Sequence, residues 1–168
     1  MATRMIRPAL PGDAAAIAAI YAPEVLGGTA TFEIDAPDAT EIARRMARVA
    51  AAGWPWLVHE DAGAIGGFAY ASQFRDRPAY AHSCETSVYI APALQRRGAG
   101  RALMAALVTS AADAGFRQMI AVIGDSGNAA SIGLHRACGF AEVGRLTDVG
   151  HKFGRWLDVV YMQRGIGA

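Results

Sequence analysis

The chain has 168 residues, 53% of them hydrophobic, and its 16 basic residues nearly balance 15 acidic ones. This length supports one domain with a full apolar core, and we expect a single domain over residues 1–168. A net charge of +1 argues against nucleic acid and anionic membranes as partners, because both require a basic excess. Two cysteines are too few for a disulfide framework, and no signal peptide or membrane-spanning run is recognisable, so we expect a soluble cytoplasmic protein.

Hydrophobic periodicity and turn residues predict the element order β-α-α-β-β-β-α-β-α-β-β, which is typical of an α/β fold. The predicted strands cover residues 5–9, 56–60, 64–72, 81–90, 118–123, 141–149 and 156–164. The predicted helices cover residues 11 to about 21, 38–52, 98 to about 115, and 128–138. We expect residues 25–37 to be irregular and residues 74–80 to form a charged loop.

The most informative segment is the sequence Gln-Arg-Arg-Gly-Ala-Gly-Arg at residues 95–101, between an apolar strand and a helix. Such a loop presents free backbone N–H groups at a helix N-terminus, which is a binding site for pyrophosphate. Gly98 and Gly100 allow a ligand to approach the backbone closely. The segment lacks the Gly-Lys-Ser/Thr of a P-loop, and Leu103 stands where a dinucleotide fingerprint needs a small residue. An ordinary glycine-rich turn is the alternative on this segment alone.

Three segments together resemble the GCN5-related N-acetyltransferases (GNAT). Residues 95–100 have the Gln-x-x-Gly-x-Gly form of that family's acyl-CoA loop. Residues 128–140 are similar to its Asn-x-x-(Ser/Ala)-x-x-Leu-(Tyr)-x-x-x-Gly-Phe segment, and residues 5–21 to its first strand and helix. The resemblance spans essentially the whole chain. It implies a mixed, mostly antiparallel sheet with splayed central strands flanked by helices, and acetyl-CoA as co-substrate without a metal.

The resemblance also implies which residues hold acetyl-CoA. The backbone of Val88, Tyr89 and Ile90 would bind the pantetheine arm, and one of its N–H groups would polarise the thioester carbonyl. The pyrophosphate would be held by Arg96, Arg97, Gly98, Ala99, Gly100 and Arg101. Asn128 would contact the pantetheine or phosphate side, cap its helix with Ser131 at the N3 position, or do both.

Two residues are candidates for proton transfer. Acetylation needs a neutral amine, and Glu85 lies on the strand face of Ser87 and Tyr89, so we expect it to act as base. A surface or salt-bridged glutamate is the alternative. His135 occupies the position of a tyrosine in many family members and would protonate the departing CoA thiolate, unless it only packs on its helix.

A narrower resemblance is to the phosphinothricin acetyltransferase group, which includes methionine sulfone and methionine sulfoximine acetyltransferases. The matching segments are residues 29–33, 70–80, 85–89, 121–124 and 150–159. The resemblance implies a small α-amino acid with a tetrahedral, oxygen-bearing side-chain centre as acceptor. Gln73 stands where that group commonly has proline, and residues 84–86 also depart from its pattern, which leaves the side-chain preference open.

Arg75 and Arg77 offer forked donors for the carboxylate of such an acceptor, although a solvated loop with local ion pairs around Asp76 is the alternative. Phe32 and Tyr80 would supply apolar walls, and His151 or Lys152 would meet the sulfonyl or phosphinyl oxygens. Glu85, Thr86 and Ser87 complete the expected acceptor site. We expect Trp156 to pack in the core.

Other functions stay open at this stage. The alternatives are acetylation of another small amine or of a protein N-terminus, and non-catalytic sensing of acyl-CoA. Two arginines in the acceptor loop argue against a polycationic acceptor. Related enzymes are dimers, and we expect a homodimer that meets near Val122 and the acceptor loops.

Overall fold

The computed structural model describes residues 4–167. Its strands are β1 (Arg4–Pro8), β2 (Trp56–Asp61), β3 (Ala64–Gln73), β4 (Ser83–Ile90), β5 (Gln118–Gly124), β6 (Ala141–Lys152) and β7 (Arg155–Gly165). Its α-helices are α1 (Ala14–Gly27), α2 (Ala39–Ala51), α3 (Ala99–Asp113) and α4 (Ala129–Ala137). Short 3-10 turns cover Pro11–Asp13, Pro78–Tyr80 and Pro92–Leu94. The predicted order of strands and helices is confirmed.

All the strands lie in one sheet, in the order β1-β2-β3-β4-β5-β7-β6. Neighbouring strands are antiparallel except β4 and β5, which are parallel because α3 crosses over between them. The predicted mixed and mostly antiparallel sheet is therefore confirmed. The parallel pair lies at the centre of the sheet, beside the glycine-rich segment that precedes α3.

Helices cover both faces of the sheet with two apolar clusters. On one face, α1 and α2 pack with Ile17, Ile42 and Phe68 among the buried residues. On the other face, α3 packs with Leu103 and Met119 at its centre. Successive side chains of β4 point to opposite faces of the sheet, so they pack alternately into the two clusters.

Two predicted elements, one helix and one strand, end at least three residues later in the structure than predicted. Helix α1 continues to Gly27 instead of ending near Tyr21, because its buried face includes both Tyr21 and Val25. That packing keeps the last turns helical although Pro23 lies inside the helix. Strand β6 continues to Lys152 instead of ending at 149, and pairs with β7 up to the connecting turn.

The prediction that Trp156 packs in the core is wrong, since its side chain is 65% exposed. It stands beside His151 at the β6–β7 turn, with ring centroids 4.8 Å apart. Most of β6 is exposed along its length, so this part of the sheet has little cover for a large side chain. Across residues 4–167, no helix is long and apolar enough to span a membrane.

Candidate active site

The central parallel strands separate partway along β4. Their register joins Ser83–Thr86 to Gln118–Ala121, and no pairing between them continues past Thr86 in the described part of the chain. A cleft of about 540 Å³ opens at this point. Its β4 wall is formed by Thr86, Ser87, Val88, Tyr89 and Ile90, and its β5 wall by Ala121, Val122 and Ile123. The predicted splay of the central strands is confirmed.

Tyr89 contributes backbone to this cleft while its side chain belongs to the core. Its ring lies 4.8 Å from that of Tyr21 and 5.3 Å from that of Phe68, measured between centroids. Burial raises the pKa of the Tyr89 hydroxyl well above its ordinary value, so the phenol stays neutral. The strand is thereby anchored on one side, and its edge facing β5 keeps backbone groups free for a ligand.

The glycine-rich segment closes one end of the cleft. Gly98 precedes α3 with φ at +88°, a left-handed conformation that favours glycine. At Gly100, an added Cβ would lie only 3.2 Å from Cδ2 of Leu134 in α4. Glycine is therefore required at Gly98 by backbone conformation and at Gly100 by close packing. The result is a helix N-terminus with open N–H groups beside the cleft.

The arginines of this segment are not equivalent. Arg96 and Arg101 line the cleft. Arg97 does not line it; this exposed side chain donates a long hydrogen bond to the Ala93 carbonyl at 3.4 Å. Ala99 is buried in the first turn of α3, so only its backbone is available to a ligand. Two lining residues that sequence reasoning missed are Gln95, which donates to the Ile90 carbonyl at 3.2 Å, and Leu134.

Helix α4 forms the side of the cleft opposite β4. Asn128 caps the helix, because its Oδ1 accepts a hydrogen bond from the Ser131 backbone N–H at 3.1 Å. Both residues also line the cleft. The amide nitrogen of Asn128 is left free by the capping bond, so the two alternatives for this residue are compatible.

His135 lies one turn further along α4, buried and lining the same cleft. Its Nδ1 lies 2.8 Å from the Ser131 carbonyl oxygen, which can only accept, so Nδ1 carries the ring proton. Burial lowers the pKa of His135, so the imidazole is neutral near pH 7 and Nε2 has a free lone pair. This state conflicts with the predicted proton donation to a thiolate, because the nitrogen that faces away from Ser131 carries no proton.

Two buried polar atoms in the cleft lack partners within residues 4–167. They are Nε2 of His135 and Oγ1 of Thr86. Buried polar groups are normally hydrogen-bonded, and leaving one unsatisfied costs about 1–3 kcal/mol. A ligand in the cleft would supply these partners. Together with the open helix N-terminus and the two arginines, these atoms fit a phosphate-bearing ligand with an amide-containing arm.

Glu85 lies outside this cleft, on the α1 and α2 face of β4 and next to its rim. Its Oε2 is 3.8 Å from Nη1 of Arg75, in a half-exposed ion pair. Burial raises the pKa of Glu85 and the Arg75 guanidinium opposes that rise. A carboxylate with a raised pKa is a better base near neutrality than an ordinary one.

The acceptor loop at residues 74–80 is ordered by its own contacts. Gln73 Nε2 donates to the carbonyls of Arg75 and Arg77, at 2.6 and 3.1 Å. The Arg75 guanidinium carbon lies 4.0 Å from the centroid of the Phe74 ring, and Tyr80 packs edge-on against that ring. Asp76 and Arg77 are exposed. The structure thus brings Arg75 to Glu85 and leaves Arg77 in solvent.

Three other predicted acceptor residues have unexpected surroundings. Phe32 is 38% exposed, and its ring fills the space beside Gly124 and Gly150. His151 is exposed beside Trp156 and away from the cleft lining. Lys152 is buried, with its Nζ bonded to two backbone carbonyls, and these contacts argue against the prediction that it meets substrate oxygens.

Sequence reasoning also missed a carboxylate. Glu24, in the last turns of α1, lines the cleft together with Ala30 from the following loop. Its carboxylate has no hydrogen bond or ion pair with any residue that the structure describes. The only available signal was the polar position near the end of α1, which was hidden because the helix was predicted to stop near residue 21.

Comparison with known proteins agrees with this geometry. Residues 6–161 match the family model described as an acetyltransferase (GNAT) domain. The chain is 50% identical to a phosphinothricin N-acetyltransferase of Alcaligenes faecalis, over 97% of this chain and 83% of that protein. It is 39% identical to an L-methionine sulfoximine/L-methionine sulfone acetyltransferase of Salmonella typhimurium, over 94% of this chain and 92% of that protein.

A solved structure shows the same fold with a ligand. It is a GNAT superfamily phosphinothricin acetyltransferase from Sinorhizobium meliloti in complex with acetyl-CoA. The TM-score is 0.93 at 43% sequence identity, covering 98% of this chain and 89% of that one.

Proposed function

The chain belongs to the GNAT family of acetyltransferases, and on that premise we propose that it acetylates the α-amino group of a small amino-acid analogue. The acceptor is of the phosphinothricin, methionine sulfone or methionine sulfoximine type. The observation that carries the proposal is the adjacency of two half-sites. An open helix N-terminus and a splayed strand pair lie at one side of β4, and the Arg75–Glu85 pair lies at its other side.

The residues on the cofactor side have binding roles. Acetyl-CoA supplies the thioester, whose acyl–sulfur bond breaks as the amine nitrogen bonds to the carbonyl carbon. The open N–H groups at Gly98–Gly100, with Arg96 and Arg101, hold the pyrophosphate. A backbone N–H from Val88–Ile90 stabilises the oxyanion, a contribution of about 3–4 kcal/mol for one donor in known cases. Arg97 supports this site only through long-range charge.

The residues on the acceptor side prepare the amine. Arg75 binds the acceptor carboxylate, with Arg77 joining it once the loop is occupied, and Phe32 and Tyr80 flank the side chain. Glu85 takes the ammonium proton before attack. The backbone and hydroxyls of Thr86 and Ser87 border both half-sites.

His135 acts in this proposal as a neutral acceptor. Its Nε2 accepts a hydrogen bond from an N–H group of the pantetheine arm, since Nδ1 already donates to Ser131. The thiolate is then protonated by solvent or by the proton that Glu85 has accepted.

The test is a survey of acceptors with one readout, the release of CoA thiol. Methionine sulfone, methionine sulfoximine and phosphinothricin are compared with methionine, with an alanine-initiated peptide and with no acceptor. We expect the highest kcat/KM for one of the oxygen-bearing analogues. Faster acetylation of the peptide would replace the proposal with N-terminal acetylation, and binding of acetyl-CoA without any transfer would indicate a sensor.

We further propose that the protein is a homodimer. Strand β6 is an edge of the sheet, and large apolar side chains are exposed along it and the adjoining turn, namely Val143, Leu146, Val149, Phe153 and Trp156. We call this set the β6 apolar face. An exposed edge of this kind favours pairing with a second copy of the same strand. Val122, expected near the interface, lines the cleft instead. Light scattering should give a dimer mass, and Val149→Asp should give a monomer.

We also propose that the chain is a single GNAT domain that works in the cytoplasm. All the described strands form one sheet, and the family match covers residues 6–161. Cys84 and Cys138 are both free thiols, which is typical of a reducing compartment.

A further inference from the structure

Lys152 is the only lysine in the chain, whereas there are 15 arginines. We propose that it is a positioning residue that holds the segment 28–33 against the rest of the active site and does not touch the acceptor. This segment follows α1, lines the cleft through Ala30, and carries Phe32, which the proposed function places beside the acceptor. The expected kinetic effects rest on the proposed function, whereas the structural role rests on the hydrogen bonds and burial of Lys152.

The ammonium group of Lys152 is hydrogen-bonded to the backbone of this segment. Nζ donates to the Gly28 carbonyl at 2.8 Å and to the Thr31 carbonyl at 2.9 Å, and the residue is only 5% exposed. The segment between these carbonyls is irregular, so its carbonyls need partners from elsewhere. One ammonium group therefore ties together both ends of a tight loop that lies more than a hundred residues away in sequence.

Three further side chains, those of Asp125, Tyr21 and Arg45, hold the same segment from other directions, and Arg45 binds the Glu33 carboxylate at 2.7 and 3.0 Å. Thr29 Oγ1 donates to the Asp125 carboxylate at 2.7 Å, and Arg155 reaches that carboxylate at 3.2 Å. The hydroxyls of Thr31 and Tyr21 are 2.7 Å apart. Among the side chains of residues 4–167, only that of Lys152 hydrogen-bonds the backbone of the segment at two points, so its removal should loosen the segment most.

The surroundings of Nζ leave little room for an acceptor. Phe153 covers the ammonium, with its ring centroid 5.0 Å from Nζ. Desolvation lowers the pKa of Lys152, and the carboxylates of Glu24 and Glu33 oppose that effect. The two carbonyls take two of the three ammonium hydrogens, and because the residue is only 5% exposed, the third hydrogen has little access to an acceptor oxygen.

The first experiment compares Lys152→Met, Lys152→Arg and the control Arg48→Met, which removes an exposed cation from α2. Methionine sulfone and methionine serve as acceptors. Lys152→Met should lower kcat/KM roughly ten- to a hundredfold for both acceptors by the same factor, chiefly through KM, because two buried carbonyls lose their donor. The Kd for acetyl-CoA should stay within about twofold, and Lys152→Arg should recover part of the loss. A loss at least fivefold larger for the sulfone, or unchanged kinetics, would overturn the proposal.

The second experiment does not depend on the acceptor. Hydrogen exchange at residues 28–33 should accelerate in Lys152→Met and stay unchanged in Arg48→Met. If Lys152→Met does not fold, labelling of the wild-type protein with an amine-reactive ester decides the question, because Lys152 is the sole side-chain amine. Labelling of Lys152 should be at least about tenfold slower in the folded chain than in urea. Equal rates in the two states would refute the buried position, and absence of acetyl transfer by the wild type would refute the proposed function alone.

Discussion

The two sides of the active site are built in different ways. The proposed cofactor side consists of short continuous segments, 95–101 and 86–90, most of whose residues line the cleft and offer backbone groups to a ligand. The proposed acceptor side is assembled from side chains on the α1 loop, the 74–80 loop and β4. A backbone-built site keeps its function while surrounding side chains change, whereas a site made from side chains changes its specificity with single substitutions. In this proposal, chemistry and specificity are thus separated on the two sides of β4.

The charges on the two sides differ in the same way. Arg96 and Arg101 line the cofactor side without ion pairs among the described residues. On the acceptor side, Arg75 lies beside Glu85, and Arg45 is bonded to Glu33 by two contacts of 2.7 and 3.0 Å. Free cations attract a polyphosphate from solution, and paired ones present a defined geometry to a zwitterion.

The largest effect should come from breaking the cofactor side. Gly98→Asp and Gly100→Asp should abolish acetyl-CoA binding, because each adds negative charge at the pyrophosphate site. Gly100→Asp also forces an atom against Leu134. Calorimetry measures the loss. The control is Gly12→Asp, at an exposed glycine with nothing near its Cβ position, which should bind normally. Normal affinity in a folded Gly98 or Gly100 variant would contradict the assignment of the loop.

The next largest effect should come from the base. Glu85→Gln should lower kcat/KM by roughly 10²–10⁴ with little change in acetyl-CoA affinity. The base acts when ionised, so wild-type activity should fall as pH drops through the Glu85 pKa, which lies above the ordinary carboxyl value. The variant should lack this fall in activity, which is the acidic limb of the pH profile. Its loss of kcat/KM relative to the wild type should become smaller at high pH, where the amine is already neutral.

Glu24→Gln is the matched control, since it removes the carboxylate that lines the cleft itself, whereas Glu85 lies outside it. We expect the acidic limb of the pH profile to survive in Glu24→Gln. If the limb disappears there and persists in Glu85→Gln, then Glu24 is the base and the roles assigned to the two carboxylates must be exchanged.

Removal of the acceptor-side cation should have an intermediate effect. Arg75→Ala should raise KM for the acceptor by about ten- to a hundredfold, because a partly exposed charged contact contributes less than a buried one. It should also move the acidic limb of the pH profile to higher pH, since the guanidinium lowers the Glu85 pKa. Arg75→Lys keeps the positive charge but loses the two-pronged hydrogen bonding of the guanidinium. The acidic limb of its pH profile should therefore lie near that of the wild type, while its KM for the acceptor stays raised. An Arg75, Arg77 double alanine variant with intact kinetics would rule out the carboxylate site.

The smallest effect distinguishes the arginines of the cofactor side. Arg101→Ala should weaken acetyl-CoA binding by up to about tenfold, and Arg97→Ala by less, because Arg101 lines the cleft and Arg97 does not. Titrations at low and high salt should show a steeper salt dependence for wild type than for Arg101→Ala. Equal losses in the two variants would mean that the segment acts through net charge and not through contact.

The sequence alone determined the element order and the cofactor side, because these depend on local rules. Gly98 has to precede a helix in a left-handed conformation, and the residue types at 95–101 and 128–140 report that geometry directly. A strand's alternation likewise placed Glu85 with Tyr89 and away from the α3 core. None of these features requires knowledge of which distant segments meet.

Only the tertiary structure decided the acceptor side. Lysine is a residue type that usually lies at the surface. In this fold, however, the carbonyls of Gly28 and Thr31, at least 121 residues away in sequence, bind the ammonium group of Lys152. Trp156 is a large apolar residue of the type that usually packs in a core, but it lies at the mostly exposed β6–β7 hairpin and is 65% exposed. Glu24 reaches the cleft only because tertiary packing extends α1 by more than a turn. Burial depends on which segments pack together, and the local pattern of residues around a position does not contain that information.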